Sequence, residues 1–177
     1  DYDYDRLSRV TSVTLPDADV IGGPNGLVYS YSHNAVGQVT QVTAPGNRVT
    51  DYGFDLWGQL RTVELPAPAA GASRPTTAFG YDNLGRQTSE TDPEGRTTEF
   101  EYDGLGQLIE TRTPAPNYVA GTVSTEYEYD KRGSLTLVKD PLSHETAFGY
   151  DNLGRRTSVT DARLKTTEFT YLSLIHI

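Results

Sequence analysis

Tyr81-Asp82-Asn83-Leu84-Gly85-Arg86-Gln87-Thr88-Ser89-Glu90-Thr91-Asp92-Pro93-Glu94-Gly95-Arg96-Thr97-Thr98-Glu99-Phe100-Glu101-Tyr102 holds one full period of the chain. It opens on a Tyr-Asp pair followed by Gly, and it returns to an aromatic doublet. Asp accepts hydrogen bonds from amides two residues on, and Gly takes a positive φ without steric cost, so Asp82-x-x-Gly85 reads as a tight turn. Phe100 and Tyr102 are two residues apart, which puts both rings on one face of a strand. Asp92-Pro93-Glu94-Gly95 reads as a second turn, with Pro preset for the first central position.

The motif recurs along the chain. Tyr102-Asp103-Gly104-Leu105-Gly106, Tyr129-Asp130-Lys131-Arg132-Gly133 and Tyr150-Asp151-Asn152-Leu153-Gly154 repeat it, and Phe54-Asp55-Leu56-Trp57-Gly58 repeats it with Phe for Tyr. Tyr4-Asp5-Arg6-Leu7-Ser8 has Ser for Gly, and Asn34-Ala35-Val36-Gly37 is a looser copy after Tyr31. The anchors at 5, 34, 55, 82, 103, 130 and 151 are spaced 29, 21, 27, 21, 27 and 21 residues apart. Thr77–Tyr102 and Thr146–Tyr171 are identical at 19 of 26 positions, which chance does not give, so the segments arose by duplication or recombination. Every Tyr and Phe except Tyr118 belongs to a doublet of the kind Tyr2/Tyr4 or Phe148/Tyr150.

Each unit therefore reads as two strands and two turns, and seven units give about 14 strands. The second strand reads as alternating Leu or Val with Thr, and the rings are expected to form a ladder across strands. The longer repeats carry extra Pro, Ala and Gly in the second turn, at Leu15–Gly26, Leu65–Thr76 and Thr113–Ser124, as loops projecting from one sheet edge. Open twisted sheets rarely exceed about 10 strands without curling, so the expected fold is all-β, a curved antiparallel sheet of tandem hairpins.

Composition narrows the function. The hydrophobic fraction is 36%, and 15 Lys and Arg against 24 Asp and Glu leave a net charge of −9. Such a chain repels phosphate backbones, which argues against nucleic acid. There is no cysteine, hence no disulfide or thiolate site, and no apolar run long enough for a membrane span. The chain has no Met and starts on Asp1-Tyr2-Asp3-Tyr4 without a signal pattern, so it reads as an internal fragment.

No catalytic, cofactor or metal constellation emerges. The column Asp55, Asp82, Asp103, Asp130, Asp151 reads as turn caps. Asp1-x-Asp3-x-Asp5 begins like an EF-hand loop, but Arg6 stands where Gly is required and Ser12 where Glu is. His33 and His144 read as solvated turn histidines. Gly104-x-Gly106 lacks a third glycine, and no Gly-x-Ser-x-Gly occurs. Trp57 lies in a turn; packing against the adjacent hairpin is the expected role, and stacking on a sugar the alternative.

These residues resemble the YD-repeat or RHS-repeat proteins, whose consensus is Tyr-Asp-x-x-Gly-Arg-Leu, a Thr-rich strand, then Asp-Pro-x-Gly-x-Thr-Thr-x-x-Tyr. The resemblance runs from Tyr2 to Tyr171. It departs at Tyr4 and Tyr31, and at Asp161-Ala162-Arg163-Leu164 in the second turn after Tyr150. Its signature falls on Tyr4, Asp5, Phe54, Asp55, Gly58, Tyr81, Asp82, Gly85, Tyr102, Asp103, Gly106, Tyr129, Asp130, Gly133, Tyr150, Asp151 and Gly154. The resemblance implies a spiral sheet enclosing a hollow shell, with no enzyme activity in the repeats and no cofactor. The implied partners are the rest of the shell and an encapsulated C-terminal toxin, in a secreted or surface-delivered bacterial protein. Carbohydrate binding or cell-surface adhesion is the alternative. Family members often carry a self-cleaving aspartate site within paired Asp-Pro-x-Gly motifs after the shell; Asp92-Pro93-Glu94-Gly95 matches half of it, mid-array, and reads as a repeat turn. Residues 1–171 are expected to form the array. Leu172-Ser173-Leu174-Ile175-His176-Ile177 breaks the repeat phase and looks like a translated sequencing adapter.

Overall fold

The structure, a computed structural model, describes residues 1–15, 27–115 and 121–172. Every regular element among them is a β-strand, and the described residues contain no helix that could cross a membrane. They divide into two compact units, Asp1–Arg96 and Thr97–Ile177.

The first unit holds β1 (Tyr2–Tyr4), β2 (Val10–Leu15), β3 (Leu27–His33), β4 (Val39–Ala44), β5 (Arg48–Phe54), β6 (Leu60–Glu64), β7 (Thr76–Tyr81) and β8 (Gln87–Thr91). Each pairs antiparallel with the next in chain order. The second unit holds β9 (Thr97–Tyr102), β10 (Leu108–Pro114), β11 (Thr122–Tyr129), β12 (Leu135–Lys139), β13 (Glu145–Tyr150), β14 (Arg156–Thr160) and β15 (Thr166–Glu168), again paired in chain order. Short turns at most connections make this antiparallel meander the simplest way to pair the strands.

The two faces differ. On one face the first ring of each doublet lies opposite a small or β-branched residue in most pairs: Tyr2 against Val13, Tyr31 against Val42, Tyr52 against Val63, Phe100 against Thr111, Tyr127 against Val138 and Phe148 against Val159. Only Phe79 faces a charged residue, Glu90. The expected ring-on-ring ladder is thus replaced by rings alternating with Val and Thr, because each ring strand is separated from the next by a second-strand β-branched residue. The other face is polar and close: the hydroxyls of Thr62, Ser89 and Ser158 lie over Gly53, Gly80 and Gly149, where a Cβ would approach the oxygen to 2.2–2.4 Å.

No described residue is sealed from solvent, and the described residues form no buried hydrophobic core. A single-layer sheet can only half-bury its side chains, so stability rests on the ladder of hydrogen bonds and on partial contacts across strands.

The second strand does not alternate as expected. In all seven YD hairpins the register slips by one residue next to the second ring position: Tyr81 pairs with Gln87 but Gly80 with Ser89, leaving Thr88 as a bulge. The same slip leaves Thr11, Thr40, Arg61, Ile109, Thr136 and Thr157 bulged. A bulge returns residues three apart to one face. That explains why apolar residues recur at Val10/Val13, Val39/Val42, Leu60/Val63 and Leu135/Val138.

Candidate functional site

One five-residue turn is the repeated device of both units. At Asp82 the residue's own amide donates to the Arg86 carbonyl (3.0 Å) and the Gly85 amide donates to the Asp82 carbonyl (3.0 Å). The Leu84 and Arg86 amides donate to Oδ1 at 2.9 and 3.0 Å, and Arg86 Nε donates to Oδ2 at 2.7 Å. The carboxylate thus accepts three donors, while Gly85 at φ +83° supplies the left-handed fourth position that closes the hairpin.

The same carboxylate pattern is set at Asp5, Asp55, Asp103, Asp130 and Asp151, each accepting amides from the third and fifth turn positions. Asn34 achieves it with an amide oxygen, accepting from Val36 and Gln38 at 3.1 and 2.9 Å. The second turns at Asp92, Asp140 and Asp161 copy it too, with Ser143 (φ 64°) and Leu164 (φ 61°) in the place of Gly. The departure noted at Asp161-Ala162-Arg163-Leu164 therefore leaves the turn intact, because the aspartate cap is kept.

Electrostatics follow from these donors. At Asp5, Asp92 and Asp151 the amide of the fifth turn position, an arginine, is the main force holding the carboxyl below its ordinary value. Ser134 and His144 amides do the same for Asp130 and Asp140. At Asp55 and Asp82 partial desolvation pushes upward more than any single donor pushes down, yet the combined donors from Gln59, Trp57 and Arg61, or from Arg86 and Leu84, prevail.

The second ring of the doublet closes the unit. The hydroxyls of Tyr129, Tyr150 and Tyr171 donate to the carbonyls of Leu108, Leu135 and Arg156 at 2.9, 2.9 and 2.8 Å. Each acceptor immediately precedes a bulged residue, so a ring from the next hairpin satisfies a carbonyl beside the point where the ladder is disrupted.

The sequence model of the RHS Repeat family matches residues 33–67, 69–97, 81–117 and 129–166, well over half of the chain. The chain belongs to the RHS repeat family. No curated protein matches it. Among solved structures this RHS chain is similar to TcdB2-TccC3 without its hypervariable C-terminal region, at 18% identity and a TM-score of 0.69, over 89% of this chain and 9% of the other. It is likewise similar to TcdB2-TccC3 itself, at 18% identity and a TM-score of 0.70 over the same shares. A third likeness, at 20% identity and a TM-score of 0.64, is to the Photorhabdus luminescens Tc holotoxin pore with a mutated TccC3, over 76% of this chain and 7% of the other. The chain spans less than a tenth of the length of these structures, and the likeness is one of fold.

Within this RHS frame the remaining candidates find their places. Asp92-Pro93-Glu94-Gly95 is a repeat turn, its carboxylate engaged by Arg96 Nε at 2.6 Å. His144 is the fifth residue of the Asp140 turn, with Nδ1 2.9 Å from Oδ2. His33 is not in a turn: it ends β3 opposite Val39, in the second ring position, so Tyr31 and His33 are that unit's doublet. The periodicity of the anchors held this signal, since 33 directly precedes anchor 34. Among the described residues no His, Asp and Glu cluster is gathered to hold a metal.

Trp57 is not buried against the adjacent hairpin: in the third turn position it is 81% exposed. Of the long loops, 65–75 lies at the edge opposite the YD turns and is closed by the Leu65 amide on the Pro75 carbonyl (2.8 Å). Most of Leu15–Gly26 and the middle of Thr113–Ser124, with Tyr118, lie outside the described residues, as do 173–177 and His176.

Proposed function

We propose that this chain is a non-catalytic stretch of shell wall from an RHS-type protein that encloses or carries a C-terminal toxin. The observation that carries this reading is a sheet with no sealed core, paired strand by strand in chain order, each hairpin built on the same turn. Such a sheet extends by adding units, as a wall does. The fold likeness to TcdB2-TccC3 supports it. The partners are then the remaining repeats and the enclosed cargo, and the parent protein is secreted or delivered to a cell surface. Residues 1–171 act as one array, with Leu172 onward outside the repeat.

Limited proteolysis of the full-length parent tests this. The domain that follows the repeats should resist protease while the array is intact. It should become cleavable when Gly85→Val and Gly154→Val open two turns. Equal cleavage of the cargo in both proteins would overturn the reading.

A further inference from the structure

Two departures from the repeat meet at one place. The third turn position of the YD turns holds Leu7, Val36, Leu84, Leu105, Leu153 and one Arg132, but Trp57 in the Asp55 turn. The bulged position holds Thr11, Thr40, Thr88, Thr136, Thr157 and one Ile109, but Arg61 in the same hairpin. Trp57 and Arg61 both line a cleft of about 470 Å³ between the Asp55 and Asp82 turns, together with Gln59, Tyr81, Asn83 and Leu84. That volume falls within the range of small-ligand sites, roughly 300–1,000 Å³.

The cleft combines aromatic surface with unspent donors. Trp57 is 81% exposed and Leu84 79%. Arg61 lies over the Tyr81 ring, 5.3 Å from its centroid, with Nε held by Asp55 at 2.9 Å. The Tyr81 hydroxyl has no partner among the described residues, whereas Tyr129, Tyr150 and Tyr171 in the same position each donate to a carbonyl. The Trp57 indole N–H and the Asn83 side-chain amide are also unengaged among the described residues.

An occupant must offer apolar rings and unpaired acceptors together. A polyproline-II segment does: it has no internal hydrogen bonds, its carbonyls point outward, and its proline rings lie flat on aromatic side chains. The chain itself presents a Pro-x-Pro sequence, Pro66-Ala67-Pro68, in the loop between β6 and β7, with Ala67 and Pro68 exposed; the loop turns just after it, where the Ala72 amide donates to the Ala69 carbonyl at 3.1 Å. That loop lies at the opposite sheet edge, separated from the Asp55 turn by the five residues of β6, about 17 Å of extended chain. It cannot fold back into its own cleft. We propose that the Trp57 cleft is a docking site for a Pro-x-Pro segment in polyproline-II form, supplied by the 65–75 loop of a second copy of this chain.

Trp57 is the chain's single tryptophan, so its fluorescence reports this site alone. A synthetic peptide with the sequence of residues 64–70 is titrated into the intact chain. A saturable blue shift is expected, together with calorimetric binding that Trp57→Leu weakens about tenfold or more. Trp57→Leu and Arg61→Ala both change side chains at an exposed turn or bulge, and circular dichroism should show both variants folded; Arg61→Ala should also weaken binding. No saturable shift at millimolar peptide would overturn the proposal. So would an equal response to a peptide with both prolines changed to alanine, or undiminished binding by Trp57→Leu. A shift produced by neutral oligosaccharides and not by the peptide would overturn it as well and assign the cleft to sugar.

Discussion

The Tyr129 hydroxyl donates to the Leu108 carbonyl at 2.9 Å, joining a ring of one hairpin to the bulge of the hairpin before it, 21 residues earlier. Burial pushes the Tyr129 phenol above its ordinary value, so the folded chain holds this proton more tightly than the unfolded chain does. Tyr129→Phe keeps the ring and removes the bond. It should lower stability by about 1 kcal/mol, read by urea denaturation at pH 7. The parent chain should also lose a part of its stability above about pH 10 that Tyr129→Phe has already lost. Unchanged denaturation midpoints would show that the bond contributes nothing net.

The fourth turn position separates glycine from other residues. Gly85 has φ +83°, and a Cβ there would meet the Gln59 side-chain Nε2 at 3.2 Å. Gly85→Val should cost on the order of 2 kcal/mol, and Asp82→Ala less, since the alanine loses the cap but not the backbone conformation. Leu164 already stands at φ 61° in the equivalent place. Leu164→Gly should therefore stabilise, by up to about 1 kcal/mol. Thermal melts of the three variants should rank Leu164→Gly, parent, Asp82→Ala, Gly85→Val from most to least stable; any other order contradicts the turn assignment.

Acid should loosen the whole set of turns together. The carboxyls of Asp5, Asp55, Asp82, Asp92, Asp130, Asp140 and Asp151 all titrate below their ordinary value in the folded chain. As pH falls, the unfolded chain takes up protons first, near about pH 4. The stability these groups add is present above that value and is lost as pH falls through their lowered folded values. Melting temperature should change little from pH 7 to 5 and drop below about pH 4. Asp82→Asn and Asp151→Asn should flatten that drop; a profile as steep as the parent's would place the acid-sensitive groups elsewhere.

Arg74 holds the 65–75 loop to the sheet. Its Nη2 donates to the Val49 and Glu64 carbonyls at 2.8 Å each, its Nε to the Leu65 carbonyl at 3.0 Å, and its Nη1 to the Asp51 carboxylate. The Gln41 side chain and then Arg74 hold the Asp51 carboxyl below its ordinary value. The guanidinium is partly exposed, so Arg74→Ala should cost only about 1 kcal/mol globally. Its main effect should be local: cleavage within the Ala-rich loop by a protease that cuts after small residues should speed up severalfold. Equal cleavage rates would show that the loop is held by its apolar contacts instead.

What the sequence determined by itself was everything set within five residues. Asp82-x-x-Gly85 closes because a carboxylate, two amides and one left-handed residue suffice, and none of them needs a neighbour. The same locality made Phe100 and Tyr102 face one way, and it made the 21-residue phase visible. Register was different. The bulge at Thr88, the exposure of Trp57, the ring position of His33 and the Tyr129–Leu108 bond each depend on which residue of the next strand stands opposite. Cross-strand pairing is chosen by the sum of hydrogen bonds and side-chain fits along two strands, and one residue of slip changes every pair beyond it. The apolar spacing of three at Leu60 and Val63 carried a trace of that slip, but a strand read alone has a period of two. Only the tertiary structure decided where the ladder gives way, because a bulge is a property of two strands rather than of one.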